Sequence, residues 1–275
     1  MTWQLRPGLG LARRDAQHLQ LGADPPLAVV VPDLREVRLL LVELAHGSPL
    51  TTLDATTAPV LDALVAAGLV EAVDEVAARR ASRAGHPVLL DAPDGVLTPL
   101  LRVLGQAGLA VTRDSAAAAV TLVWAQGELP RSALDELMRA AAPHLVVREL
   151  LAGPVVGPYV VPGATACLRC VDAHLGERDP RRALVVEQLA ATPPLRPPRP
   201  DPGLRALAVG WAVRDLVTAA EGGRPASWSA TVALDVLPPV VTAYQRHLHC
   251  GCAWSEELVD IAAARAEGTT DRRAS

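Results

Sequence analysis

The stretch GPYVVPGATACLRC, Gly157 to Cys170, ends on a closely spaced pair of cysteines, Cys167 and Cys170. A second pair, Cys250 and Cys252, lies near the other end of the chain, and the sequence contains no further cysteine. Two thiolates separated by two residues can leave a loop in the same direction, and a second pair brought alongside completes the tetrahedral four-sulfur shell that structural zinc prefers. The spacing therefore predicts a structural zinc ion whose ligands are Cys167, Cys170, Cys250 and Cys252.

Three other uses of the cysteines remain open at this point. Disulfides are disfavoured because the start MTWQLRPG lacks a charged and then apolar signal segment, which predicts a cytoplasmic protein. A redox pair would be favoured by Arg169 between the thiols, although it leaves the second pair without a role. The cysteines could also be plain buried side chains. His174, His247 and His249 lie close enough in sequence to replace a ligand, but with four thiols present we expect them around the site or on the surface.

The composition excludes several classes of protein. Half of the 275 residues are hydrophobic, which is enough for two modest folded domains. The formal net charge of −4 gives no general attraction to nucleic acid. No uncharged apolar window approaches the roughly 20 residues that a membrane helix needs. The sequence contains no lysine, so a P-loop lysine and a Schiff-base lysine are both excluded.

The first 75 residues predict a small α+β domain. Short apolar runs alternate with turn residues from Leu9 to Val31, a pattern typical of an antiparallel meander. Asp33 then opens a helix, with Glu36 as its capping-box partner. A second helix is predicted over Thr57 to Ala67, and a closing strand over Leu69 to Val73. This order of elements is winged-helix-like.

A winged helix often binds DNA, but the helix from Thr57 to Ala67 carries Asp62 and no basic residue, so it cannot neutralise phosphates. Through RPGLGLARRD, HGSPLTTL and LVAAGLVEA, the domain instead resembles the PqqD-like elements that recognise precursors of ribosomally made, modified peptides. The resemblance implies that a leader peptide adds a strand to the edge of the meander. The implied contacts are Leu27, Val29 and Val31 on the receiving edge and Val60, Leu61, Leu64 and Val65 on the groove wall. That these residues simply fill a small core stays open.

From residue 87 onward, strands alternate with helices in a pattern that predicts a parallel sheet. The first strand, Val88 to Leu90, is followed by Asp91-Ala92-Pro93-Asp94-Gly95 and not by the glycine-rich turn that lets a backbone approach phosphates. The expected fold is therefore α/β: a winged-helix-like α+β domain (1–75), a linker (76–86), a degenerate Rossmann-like parallel-sheet domain with a four-cysteine zinc site (87–255) and a C-terminal tail (256–275).

The segment GPYVVPGATACLRCVDAHLGERDP resembles the one that follows the adenylation sheet in ubiquitin-activating-enzyme-like (ThiF/MoeB-like) proteins. It resembles still more the version in the partner proteins of azole-forming YcaO cyclodehydratases, which bind the leader peptides of thiazole- and oxazole-modified (TOMM) precursors. The two resemblances together extend over roughly residues 5 to 255. By this resemblance the four cysteines are the zinc ligands. Counterparts of the catalytic arginine and lysine and of the phosphate-binding glycines are missing.

The resemblance implies a non-catalytic, zinc-containing protein that needs no ATP. Its expected partners are a precursor leader peptide, a YcaO-type enzyme and a second copy of itself, since the apolar helix at Leu204 to Ala220 corresponds to a dimer-forming helix in relatives. Nucleic acid and membrane are not expected partners. Two alternatives stay open: an adenylyltransferase that acts on a peptide or a sulfur-carrier C-terminus, and a regulatory pseudo-enzyme with another protein partner.

Overall fold

The computed structural model describes residues 2–51, 53–192, 195 and 201–253. The chain divides into two compact units, Met1–Ala81 and Ser82–Ser275, and each has its own apolar core. The predicted C-terminal tail lies outside the described residues, as does most of the proline-rich stretch between residues 192 and 202.

The first unit contains a small antiparallel sheet. After strand β1 (Trp3–Leu5), strands β2 (Leu11–Arg13), β3 (His18–Leu21) and β4 (Val29–Pro32) pair in the order β2-β3-β4. The predicted meander is thereby confirmed. Within the described residues β4 pairs only with β3, so its outer side is an edge of the sheet.

Two helices cover the core of this unit: α1 (Arg35–His46) and α2 (Ala58–Ala66), followed by strand β5 (Val70–Ala72), which pairs with β1. The predicted capping box at Asp33 is wrong. The N-cap of α1 is Leu34, and no side chain of the described residues caps it. The Asp33 carboxylate instead accepts hydrogen bonds from Arg38 at 2.5 and 2.8 Å. An arginine one turn along the helix competes successfully for the oxygens that would otherwise face the first-turn N–H groups.

Most of the predicted linker (76–86) is helical, because it belongs to helix α3 (Val73–Ala84). The second unit then follows an α/β order, with a short 3-10 turn (Arg131–Leu134) before α5. Its elements are β6 (Val88–Asp91), α4 (Asp94–Ala107), β7 (Val111–Thr112), β8 (Val120–Ala125), α5 (Asp135–Arg139), β9 (His144–Glu149), β10 (Pro154–Val160), α6 (Leu168–Gly176), α7 (Arg182–Ala191), α8 (Pro202–Ala220), β11 (Ala230–Ala233) and β12 (Val240–Ala243).

These strands form one seven-stranded sheet in the order β12-β11-β10-β9-β8-β6-β7. The pairs from β7 to β9 are parallel, and those from β9 to β12 are antiparallel. The prediction of a parallel sheet is therefore right for one half and wrong for the other. The direction reverses because β9 is joined to β10 by a tight turn, in which the N–H of Leu150 donates to the carbonyl of Gly153 at 3.2 Å. Such a turn can join only antiparallel strands.

Glycine is required at one position in β10. Gly157 has φ +100°, and a Cβ placed there would lie 2.3 Å from the carbonyl oxygen of Ala230 and 2.8 Å from Cβ of Ser227. Any side chain would force β10 away from the neighbouring backbone. Gly157 thus lets β10 lie close to β11, and the loop that follows β10 leads to Cys167.

The main core lies between one face of this sheet and helices α4 and α8. Strands β6, β8 and β9 are parallel, so their carboxyl ends lie on the same side of the sheet. The residues that end them are Asp91, Ala125 and Glu149. None of the described helices has the length and apolar character needed to cross a lipid bilayer.

Candidate metal centre

The four cysteines come together in space. The Sγ atoms of Cys167 and Cys170 are 3.7 Å apart, those of Cys167 and Cys250 3.5 Å, and those of Cys170 and Cys252 3.4 Å. All four sulfurs lie within 4.8 Å of one another. A tetrahedral zinc ion with Zn–S bonds of about 2.3 Å places its sulfurs about 3.8 Å apart. The cluster therefore has the dimensions of a four-sulfur metal site.

Local structure holds each cysteine pair in place. Cys167 is the N-cap of α6 and Cys170 lies in its first turn, so both thiols leave the same end of the helix. Just before them, the Thr165 hydroxyl accepts the N–H of Val161 at 2.8 Å, and the N–H of Ala166 donates to the Ser229 hydroxyl at 3.0 Å. These bonds fix the loop that delivers the first pair.

The electrostatics of the cluster favour a cation. A hydrogen bond from Cys167 lowers the pKa of Cys170, and the same donor lowers the pKa of Cys250 to about 7. The backbone N–H of His247 also points to Cys170 Sγ at 3.4 Å. Cys167, which donates these bonds and is buried, has its pKa raised. Four thiolates cannot ionise together at this distance unless a bound cation compensates their charge.

Two of the alternative uses of the cysteines can be compared with this geometry. The sulfur separations are well above the 2.05 Å of a disulfide bond, and all four thiols are free. Arg169 donates to the Asp135 carboxylate at 2.8 Å, so its charge is already paired and does little to stabilise a reactive thiolate. Which ion the cluster holds stays a prediction, and zinc is the one that its donor set favours.

A cavity of about 730 Å³ opens beside the cluster, with Cys252, Met138 and His144 among its lining residues. The His144 ring is buried, and its Nδ1–H donates to the Ala142 carbonyl at 3.0 Å. Its Nε2 is buried, and none of the described residues forms a hydrogen bond with it. Burial lowers the pKa of His144, so the ring is neutral in the folded protein.

A stability measurement can test this description of His144. The unfolded chain takes up a proton near the ordinary histidine pKa of ~6.5 and the folded chain does not, so stability is expected to fall as the pH drops below about 6.5. His144→Asn keeps a donor at the Nδ1 position and cannot titrate in this range. Urea unfolding at about pH 7.5 and pH 5.5, with equal zinc, should show a smaller loss of stability for the variant; equal losses would contradict the account.

A buried network of charged side chains links α6 to the sheet, and sequence reasoning missed it because no motif marks it. The guanidinium of Arg131 binds both oxygens of Asp172 at 2.6 and 3.0 Å and reaches Glu128 at 3.0 Å. Arg148 of β9 also binds Glu128, at 3.0 Å. Burial and hydrogen bonding of this kind fix geometry more than they add stability. The network joins α6, which carries the first cysteine pair, to the strands of the sheet.

Carboxylates dominate the carboxyl ends of the parallel strands, where a doubly wound sheet would bind phosphate. Asp91 ends β6, Asp94 begins α4, and Glu149 ends β9. The guanidinium of Arg205 binds both oxygens of Glu149 at 2.6 and 2.7 Å. A Cβ on Gly95 would lie 4.0 Å from this guanidinium, so the ion pair reaches the start of α4. The arrangement is electrostatically unfavourable for a polyphosphate.

The residues implied in peptide binding fall into two groups. Leu27 and Val65 are exposed, and Val29 is half-buried. Val31, Val60, Leu61 and Leu64 are buried in the core of the first unit. The exposed members can contact a peptide directly, whereas the buried ones can at most shape the surface beneath it.

Comparisons with known proteins agree with this architecture. No family model matches the chain, and no curated protein matches it either. Among solved structures, that of the heterocyclase TruD matches 92% of this chain with a TM-score of 0.66 and 18% identity. A heterocyclase in complex with substrate and cofactor matches 92% with a TM-score of 0.65 and 15% identity. This chain spans 42% and 39% of the lengths of those two chains.

A second group of similar structures is that of MccB from E. coli. The complex of MccB with ATP matches 92% of this chain and 99% of the MccB chain, with a TM-score of 0.58 and 12% identity. Another MccB structure contains MccA. At these identities the comparisons show a shared fold, in which both units of the present chain take part.

Proposed function

We propose that this chain is a non-catalytic, zinc-stabilised protein that binds the leader peptide of a ribosomal precursor and presents it to a YcaO-type cyclodehydratase. The observation that carries the proposal is the open edge of β4. The fold shared with heterocyclases supports it, because such a fold is found there within longer chains. The expected cellular location is the cytoplasm, and the expected oligomer is a homodimer.

Strand addition at β4 follows from its pairing and its side chains. The carbonyl of Pro32 accepts the N–H of Leu34 at 3.0 Å, and the outer backbone groups of Val30 have no partner in the described part of the chain, so an extended peptide can add to β4 there. Val30 is 45% exposed and Leu27, just before the strand, is also 45% exposed. Helix α2 packs against β4 and exposes Val65. A peptide strand with apolar side chains would thus find both hydrogen-bond partners and apolar contacts.

The charged side chains at the carboxyl ends of the parallel strands support the proposal that this chain is not catalytic. A kinase-like or adenylating reaction must neutralise the charge of ATP with backbone N–H groups, arginine, lysine or a metal ion. Here Asp91 ends β6, Asp94 begins α4, and Arg205 is already bound by Glu149. The ATP chemistry is therefore assigned to the partner enzyme.

A second candidate function is that of a ThiF/MoeB-like adenylyltransferase. One observation favours it: this chain matches nearly the whole length of MccB, which has been crystallised with ATP. The two candidates differ in whether a nucleotide binds.

Calorimetry with magnesium and ATP separates the two candidates. We expect no heat of binding for the purified chain, because the phosphate position is acidic and its arginine is paired. Micromolar, magnesium-dependent binding would overturn the non-catalytic proposal and favour the adenylyltransferase.

The proposed function itself is tested by capture. The tagged full chain is incubated with lysate of its native host, and the retained peptides and proteins are identified by mass spectrometry. The proposal predicts a short ribosomal precursor and a YcaO-type enzyme. Recovery of another protein without any precursor would contradict it and favour the regulatory pseudo-enzyme.

A further inference from the structure

A second group of potential metal ligands lies beside the cysteine cluster. His174 and Glu177 are three residues apart at the end of α6, and His247 belongs to the segment that leads to the second cysteine pair. Nε2 of His247 lies 3.1 Å from Oε1 of Glu177, and Nδ1 of His174 lies 3.8 Å from the same oxygen. One ligand atom from each residue falls within 4.8 Å of the others.

These distances suit a small divalent ion. Nitrogen and oxygen ligands bound to zinc at about 2.0–2.2 Å in a tetrahedral arrangement lie about 3.3–3.6 Å apart. The two measured separations fall on either side of this range. Side-chain shifts of a few tenths of an ångström would therefore bring each histidine nitrogen to this separation from the Glu177 oxygen.

The hydrogen bonds of His174 prepare its free nitrogen for a metal. Its Nε2 lies 2.9 Å from the carbonyl oxygen of Gln245, which can only accept, so Nε2 carries the proton. In the neutral ring Nδ1 then has a lone pair, and this is the atom that faces Glu177. Metal-binding histidines usually donate their second N–H to a backbone carbonyl or a carboxylate in this way.

His247 needs one change to join the site. Its Nδ1 accepts the N–H of His249 at 3.1 Å, so without metal its Nε2 carries the proton and donates to Glu177. Metal binding at Nε2 requires the other tautomer, in which the single ring proton lies on Nδ1, and this change breaks the bond from His249. This bond lies in an exposed turn, where water can replace the lost partner at little cost.

The burial and charge of the three side chains also suit a bound metal ion. The His247 side chain is only 10% exposed and its ring contacts that of His174 edge-on at 4.7 Å, so the two imidazoles already converge. Glu177 is 64% exposed and supplies one negative charge at the mouth of the group. The converging imidazoles thus need little rearrangement, and the exposed carboxylate leaves room for solvent on a bound ion.

We propose that His174, Glu177 and His247 form a second metal site, which takes one zinc-like divalent transition ion. Two imidazoles and one carboxylate suit zinc, nickel or cobalt better than magnesium or calcium. Three protein ligands leave a coordination position for water, so this ion exchanges more readily than one enclosed by four thiolates. Bound there, it joins the end of α6 to the segment that carries Cys250 and Cys252.

The test uses the full chain without any histidine tag, carrying the metal that survives dialysis. Calorimetric titration with zinc is expected to show one additional equivalent. His174→Ala and Glu177→Gln should each weaken this equivalent by at least about tenfold, the lower end of what even an outer-shell partner contributes to metal affinity. His46→Ala, an exposed histidine of α1, is the matched control and should bind zinc as the wild type does.

Several results would overturn the proposal. They are the absence of an additional equivalent, its survival in both site variants, and its equal loss in the His46 control. Glu177→Gln keeps the assay decisive because this exposed side chain can change without unfolding the protein. Cysteine variants report separately on the sulfur cluster, so failure at one site is distinguishable from failure at the other.

Discussion

Changing Cys167 to serine is expected to remove the tightly held metal ion and to destabilise the larger unit strongly. Cys167 is only 4% exposed, and its sulfur contacts those of Cys170 and Cys250. Binding of structural zinc is coupled to folding and supplies ~10–16 kcal/mol in small zinc domains. We expect a loss above ~4 kcal/mol, the range reserved for metal or core loss. For a unit of this size that corresponds to a fall in Tm of more than about 8 °C.

Metal analysis and thermal unfolding of the dialysed proteins check this expectation. Wild type should retain about one zinc per chain, which the variant should lose. Ala243→Ser on β12 adds the same hydroxyl at an exposed position and should change neither quantity. A Cys167→Ser protein that keeps its zinc and melts within about 2 °C of wild type would refute the metal site. Wild type that is purified without metal and with a disulfide between Cys167 and Cys170 would favour the redox alternative.

Changing Val65 to glutamate is expected to weaken leader-peptide binding by more than about thirtyfold, or ~2 kcal/mol. Val65 is 39% exposed on α2, the helix that packs against β4, so the substitution leaves the core intact. A bound peptide would cover the new carboxylate, and a covered charge without a partner is costly. The measurement is fluorescence anisotropy with the labelled leader peptide obtained by capture.

Val42→Glu is the matched control for this experiment. Val42 is 55% exposed on α1, and the substitution introduces the same charge at another exposed valine. It should bind the peptide as the wild type does. If both variants bind equally well, the groove assignment is wrong and the implied residues serve only the core. If both variants lose binding equally, the added negative charge causes the loss whatever its position.

The cysteine cluster could be predicted from sequence because metal coordination imposes short spacings that remain visible along the chain. Cys167 with Cys170 and Cys250 with Cys252 each supply half a ligand shell, and only their meeting had to be assumed. The Asp33 capping box was wrong because a local pattern does not reveal competition from Arg38. Capping and ion pairing use the same carboxylate oxygens.

Strand β10 could not be predicted because its sequence, PVVGPYV, contains two prolines and a glycine, which normally argue against an inner strand. The strand accommodates them through a shift in register between Val156 and Tyr159. The missing prediction mattered because β10 reverses the sheet and leads into the first cysteine pair. A loop ending in Gly153 was the available signal for a hairpin.

Contacts between distant segments were beyond sequence reasoning. His174 and His247 are far apart in the chain, and only the fold brings both to Glu177. The same limit applies to the peptide groove. Helical periodicity places Val60, Leu61 and Leu64 on one face of α2, but only the packing shows that this face is the buried one.

Hydrogen–deuterium exchange of the chain with and without the captured leader peptide tests the central claim most directly. Strand addition predicts new protection of the amides of Val29–Val31 in β4, with little change in the loop from Asp91 to Gly95. A bound peptide that leaves β4 unprotected, or that protects the loop after β6 instead, would contradict the account.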